Sequence, residues 1–140
     1  MTLESLYDIA EKKGIHIHNY HFKKITSMSI EGNIGIDKRK FKNSREHKTV
    51  VAHELGHCST GSFYNIKSKF ETVERMEYRA NKWAVEQLIP FEEYYHALTA
   101  GIIEIWQLAE HFEVTEEFIK KTAQLYEAKV LERYAKECAV

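Results

Sequence analysis

Near the start of the chain, apolar residues recur at helical spacing. Leu3, Leu6, Ile9 and Ala10 form one stripe over residues 2–13, and Gly14 stands where a helix stops. The period then changes. Ile15-His16-Ile17-His18 alternates, and so does Thr26-Ser27-Met28-Ser29-Ile30, with Met28 and Ile30 on one face. Ile34-Gly35-Ile36 alternates again after the turn-like Glu31-Gly32-Asn33. This pattern predicts three short strands, paired antiparallel. From Ser44 onward the period is helical. Ser44 reads as the cap of a helix over residues 45–59, broken by Thr60-Gly61-Ser62. A second long helix over 70–89 ends before Pro90. Shorter helices follow at 91–99 and 102–112, and Thr115 caps a last helix over 116–136. Leu125, Tyr126, Val130, Leu131 and Tyr134 make that helix amphipathic, to be packed back on the domain or on a partner.

The expected fold is α+β. An N-terminal helix and a small antiparallel three-stranded sheet pack on a central helix, and the C-terminal part is helical. At 140 residues the chain reads as one domain over 1–140, with a core in 1–100 and a helical extension, 101–140, packed on it. An apolar share of 44% and a charged share of 29% are globular values that exclude a disordered tail. No apolar run approaches the roughly 18 residues of a membrane span. Acids among the apolar residues of the N-terminus speak against a signal peptide. Two cysteines, Cys58 and Cys138, make no disulfide framework and point to a reducing cytoplasm. Twenty basic against 21 acidic side chains leave a net charge of −1, against bulk attachment to nucleic acid. The basic run over 38–48 reads as a solvated loop leading into a helix.

His53-Glu54-Leu55-Gly56-His57 changes the picture. This is H-E-x-x-H inside a predicted helix, and composition alone would produce about 0.06 such matches. Four residues turn a helix by about 400°, so both imidazoles leave one face and can bind one zinc ion. Glu54 can then reach a water that zinc has made acidic and take its proton as it attacks a carbonyl. Gly56 costs about 1 kcal/mol against alanine in a helix. Either another backbone or substrate comes close there, or the site is a simple packing contact. Two histidines leave zinc short of a protein ligand. The longer pattern with glycine at 60 and histidine at 63 is excluded by Thr60 and Phe63. The next helix is the better source: Glu77 is the only charge on the stripe Val73, Glu77, Ala80, Ala84, Leu88. Glu74 is the fallback. Asn81, one turn beyond Glu77, can hydrogen-bond a ligand histidine.

These residues resemble a known family. His53-Glu54-Leu55-Gly56-His57, then Glu77-Tyr78-Arg79-Ala80-Asn81-Lys82-Trp83-Ala84, then Leu88-Ile89-Pro90 is similar to the ImmA/IrrE family of small bacterial zinc endopeptidases. That family shows H-E-L-G-H, E-x-x-A-N-x-F-A and L-L-M-P; here Trp83 replaces phenylalanine and Ile89 replaces methionine. The match covers about residues 50–90. The resemblance implies a zincin-like fold, with His53, His57 and Glu77 as zinc ligands and Glu54 as catalytic base. It also resembles thermolysin-type sites, with Asn81 where their third-ligand helix carries an acid. It implies a partner too, since members commonly sit beside helix-turn-helix repressors of phages or integrated elements and cleave them. Another branch acts by the same route in the DNA-damage response.

Other features carry weaker signals. Residues 102–121 imitate a helix-turn-helix, with Ala109 and Ile119 in place, but Glu113 replaces the turn glycine and Glu116 and Glu117 would face phosphates. A packing unit, or a surface that holds a repressor, fits better than direct nucleic-acid binding. His16, His18 and His21 are a weak second metal candidate. Cys58 reads as a small buried group turned away from the metal. His96, Tyr64, Tyr94 and Tyr95 are candidates to stabilise an oxyanion. The alternative function is a zinc-binding interaction module that regulates a repressor without cutting it.

Overall fold

The computed structural model describes residues 1–139. Helix α1 (Leu3–Lys12) starts at Thr2, whose hydroxyl accepts from the Ser5 amide at 3.1 Å. It buries Leu6 and Ala10, one turn apart. Gly14, at φ +72°, turns the chain into strand β1 (His16–Asn19). Strands β2 (Ser27–Ile30) and β3 (Asn33–Ile36) follow, then helices α2 (Ser44–Thr60), α3 (Phe70–Leu88), α4 (Phe91–Thr99), α5 (Ile105–Phe112) and α6 (Glu116–Cys138). The architecture is the expected α+β. Two helix starts differ from the pattern. Asn43, not Ser44, caps α2 and accepts from the Glu46 amide at 2.9 Å. Helix α5 begins at Ile105 rather than 102, because Gln107 reaches back to the Glu104 amide at 3.2 Å and closes the turn there.

The sheet is mixed, which corrects the antiparallel expectation. Its order is β1-β3-β2, with β2 antiparallel and β1 parallel to the central β3. The two-residue turn Glu31-Gly32, with Gly32 at φ +76°, forces β2 and β3 antiparallel. Residues 20–26 instead carry the chain across the end of β3 before β2 begins, so β1 and β3 run the same way. Alternation reports which face a side chain takes and says nothing about the direction of the partner strand.

Asp37 secures that crossing. Its side chain is fully buried. Its carboxylate accepts from the Phe22 amide at 3.0 Å and from Arg39 Nε and Nη2 at 2.9 and 2.8 Å. Lys40 Nζ donates to the carbonyls of Phe22 and Ile25 at 2.8 and 2.7 Å. Arg39 and Lys40 thus keep the solvent exposure that the sequence pattern read, Arg39 exposed and Lys40 partly so, while also tying this crossing together. Lys48 is buried as well and reaches the Met1 carbonyl at 3.3 Å. The Arg39 guanidinium holds the Asp37 carboxyl well below the usual carboxylate range, against the opposing effect of burial.

The chain forms two compact units, Met1–Leu88 and the part from Ile89 onward. In the first, α2 packs against α1, α3, β2 and β3 and buries Val51, Ala52 and Leu55; Ile34, Ile36, Ala80, Ala84 and Val85 are buried with them. In the second, Tyr126 of α6 donates to the Ile89 carbonyl at 2.8 Å, and its ring lies edge-on to Phe91 at 5.2 Å. Within this unit Tyr126 joins α6 to the start of α4, while Leu131 and Tyr134 stay exposed. Helices α5 and α6 are in contact and are joined by a short turn over residues 113–115. Glu113 adopts the left-handed φ of 55° that glycine usually supplies, and Ala109, Val114 and Ile119 are buried around it. Glu116 and Glu117 are exposed at the start of α6.

Asp37→Asn should remove the carboxylate that Arg39 and the 20–26 crossing share, lowering the thermal midpoint at pH 7 by about 5 °C or more. Because folding depresses this carboxyl's pKa, its contribution is present above the unfolded-state pKa near 4 and is lost as pH falls through the folded-state value. Thermal melts at pH 7 and pH 3 should show the gap between variant and wild type narrowing in acid.

Candidate metal centre

The site is set by how closely two helices approach. A methyl group built on Gly56 of α2 would overlap the Ala80 carbonyl oxygen of α3 and lie 3.0 Å from that residue's carbonyl carbon and Cα. The glycine is there for another backbone. His53, Gly56 and His57 share one face of α2, and Glu77, Ala80 and Asn81 share one face of α3. The close approach therefore brings the ligand-bearing faces together.

His53 Nε2 and His57 Nε2 each lie 2.9 Å from Glu77 Oε2 and 3.1 Å from each other. The other ring nitrogens are occupied. His57 Nδ1 donates to the Ser62 carbonyl at 2.5 Å, which leaves a lone pair on Nε2. His53 Nδ1 faces the Asn81 amide oxygen at 2.8 Å, with the same consequence. Two imidazole lone pairs and a carboxylate oxygen thus point at one small region. Without a cation between them that arrangement is repulsive. Three atoms bound to one zinc ion sit about 3.3 Å apart when the bonds are about 2.0–2.1 Å. The observed separations fit a metal of that size, and these three residues form a metal-capable cluster among the described residues.

The electrostatics agree. A proton on an imidazole Nε2 can stand in for the cation, and hydrogen bonds from the protonated His53 and His57 rings then hold the Glu77 carboxyl well below its ordinary pKa. At His57, burial works to lower the imidazole pKa, but the Glu77 carboxylate and the Ser62 carbonyl outweigh it and the net shift is upward. Glu54 is 6% exposed and makes no hydrogen bond or ion pair among the described residues. Its carboxylate oxygens are not among the side-chain atoms sealed away without a partner, so they remain open to water at the site.

The structure brings His53, His57, Glu77 and Asn81 together, with Glu54 beside His57 and Tyr64. Glu74 is exposed and outside the cluster. His18 is bonded to Asn33 at 3.0 Å, and no second metal cluster forms among the described residues. Cys58 is half-buried rather than buried, with its thiol aimed at the Ile30 carbonyl at 3.6 Å. Of the oxyanion candidates, Tyr94, Tyr95 and His96 belong to the second unit, where the Tyr95 hydroxyl is bonded to Glu137 at 2.6 Å. Tyr64 is at the centre, donating to Glu77 Oε1 at 2.9 Å. The role of the Ser62 carbonyl was beyond sequence reasoning, since every residue has one; only Gly61, at φ +64°, hinted that the chain reverses there.

A family model described as the IrrE N-terminal-like domain matches residues 10–124. The chain belongs to this family. Membership in the IrrE N-terminal-like peptidases supports a metallopeptidase-type enzyme and implies a metal cofactor, for which the cluster of His53, His57 and Glu77 is suited. No curated protein and no solved structure gives a significant match.

Gly56→Ala tests whether this contact sets the site. Helix propensity alone favours alanine by about 1 kcal/mol. Overlap with the α3 backbone should win and destabilise the protein by about 2–3 kcal/mol in urea denaturation. A variant as stable as wild type would show that the helices can separate at no cost.

Proposed function

We propose that this chain is a zinc-dependent endopeptidase of the cytoplasm that makes a site-specific cut in a helix-turn-helix repressor of a phage or mobile element. One observation carries the catalytic part. His53 Nε2, His57 Nε2 and Glu77 Oε2 converge with their orienting hydrogen bonds already made, beside the unpaired Glu54. Two imidazoles and one carboxylate are a donor set suited to zinc that leaves a coordination position open. A bound zinc ion supplies a Lewis acid that polarises the scissile carbonyl and makes water acidic near neutral pH. The protein's own residues do the rest. Asn81 and Ser62 hold the imidazoles in their ligand tautomers. Glu54, with no competing partner, takes the proton of the attacking water and returns it to the leaving nitrogen.

Several features support a protein substrate. Strand β2 lies at a sheet edge and against α2, with Met28 and Ile30 exposed. An extended segment added there would be held by main-chain hydrogen bonds. A net charge of −1 and the acids at the start of α6 favour a protein partner over direct nucleic-acid binding. The choice of a repressor rests on the resemblance of the H-E-L-G-H and E-x-x-A-N segments. The cytoplasmic assignment rests on two free cysteines, and no helix among the described residues is long and apolar enough to cross a membrane.

Elemental mass spectrometry should find about one zinc ion per chain, and His57→Ala should lose it. Glu54→Gln should keep the metal and lower cleavage of a repressor substrate by about 10²–10⁴-fold. If Glu54→Gln still relieved repression in full, the chain would instead be a zinc-binding module that acts without cutting.

A further inference from the structure

The segment that follows α2 does more than end the helix. Gly61, in the left-handed conformation, reverses the chain, and the Ser62 amide donates to the His57 carbonyl at 3.0 Å. Ser62 is fully buried, and its carbonyl holds His57 Nδ1. The Thr60 hydroxyl bonds both the Gly56 carbonyl, at 2.7 Å, and the Ser62 hydroxyl, at 2.6 Å. Two residues beyond Ser62, the Tyr64 ring lies steeply inclined to that of His57, with centroids 6.0 Å apart, and its hydroxyl is 2.9 Å from Glu77 Oε1. The same short segment thus touches a ligand from α2 and a ligand from α3.

The division of labour at Glu77 is sharp. Oε2 faces both histidine nitrogens, and Oε1 faces only the tyrosine. A carboxylate next to a metal can bind through one oxygen or through both. A donor on Oε1 uses one of that oxygen's two lone pairs, draws off part of its charge and turns it toward the tyrosine, and so disfavours the second bond. Glu77 sits on an exposed stretch of α3, with Glu74, Arg75, Tyr78 and Arg79 around it open to solvent. No other hydrogen bond to Oε1 is present among the described residues. Tyr64 is 41% exposed, so its hydroxyl has water as an alternative partner and is nevertheless turned inward to the carboxylate.

We infer that Tyr64 is a positioning residue of the metal centre, holding Glu77 to one-oxygen ligation by donating to Oε1 and so keeping a coordination position open. This rests on the metal reading given above. It also gives the tyrosine a role other than the oxyanion donor that sequence alone suggested, because the hydroxyl is already engaged with a ligand.

Tyr64→Phe tests it. The substitution keeps the ring beside His57, removes only the hydroxyl, and falls at a partly exposed position that folding tolerates. Two readouts are needed, neither of them turnover. One is the rate at which a chromophoric chelator strips the metal from the holoprotein. The other is the visible d–d absorption of the cobalt(II)-substituted protein, which is intense for four-coordinate cobalt and weak when a fifth donor binds. The variant should change its metal-stripping rate by about tenfold or more. Its cobalt band should fall in intensity as Glu77 adds its second oxygen. An unchanged cobalt spectrum overturns the inference whatever the stripping rate. So does a variant that matches wild type in both readouts and loses only turnover, because the hydroxyl would then act on substrate. If the wild type itself holds neither zinc nor cobalt, the metal reading fails, an outcome distinct from failure of the tyrosine's role.

Discussion

The contact between Gly56 and the backbone of Ala80 is the constraint on which the site depends. Helix pairs normally sit 8–10 Å apart, at a spacing set by the side chains between them. Here one side contributes no side chain at all, and the other only a methyl group. The metal-capable residues flank these two on the same faces, His53 and His57 on α2 and Glu77 on α3, with Asn81 next to Ala80 as the partner of His53. A small separation of the helices would open the 2.9 Å approaches of Glu77 to both histidines and the 2.8 Å contact of Asn81 with His53 at once. Packing and chemistry are thus fixed by a single contact, and a residue that is poor for the helix is correct for the pair of helices.

Around that contact, the partners that fix the ring nitrogens come from two kinds of source. Asn81 is a side chain on the ligand helix itself, one turn past Glu77. Ser62 contributes its main-chain carbonyl, placed by the left-handed turn at Gly61. Each forces its histidine to present Nε2 without a proton, the form in which an imidazole binds metal. The sheet lies on the same helix through β2 and β3. Its own integrity rests on Asp37, which ties the 20–26 crossing to the end of the central strand. The route from sequence to site therefore runs through two polar arrangements, one at the end of the central strand and one between the helices.

Much of this was legible in the sequence, for identifiable reasons. Helical periodicity exposed α2 and α3 because their buried faces recur every three to four residues. The one charge on the α3 stripe picked out Glu77, and the cost of a mid-helix glycine marked Gly56 as a position with a purpose. What stayed hidden lacks a residue signature. Alternation cannot distinguish a parallel from an antiparallel partner, so the direction of β1 was missed. The ties that Arg39 and Lys40 make from their solvated basic run were missed, because their acid, Asp37, stands just before it and acts through a buried geometry. Asn43 and Ser44 are both good caps, and only the path of the chain decides between them. The Ser62 carbonyl could not be foreseen from side-chain identity.

The features that sequence rules judge unfavourable coincide at this site. Gly56 weakens a helix, Glu54 is a carboxylate on a largely buried residue with no hydrogen bond or ion pair among the described residues, and two imidazoles and a carboxylate converge where only a proton or a metal can sit between them. Each alone could be an accident of one packing arrangement. Their occurrence within a single turn of two facing helices is harder to explain that way, because a sequence selected for stability alone would remove any one of them with a common substitution. Elsewhere in the first unit local preference and global structure agree: Thr2 and Asn43 cap their helices, Gly32 turns its hairpin, and the buried positions of α2 are apolar apart from those near the site and at its start. The buried charges elsewhere in this unit, Asp37 and Lys48, have hydrogen-bond partners of their own, so conflict concentrated at one place is the physical mark of a site kept for chemistry.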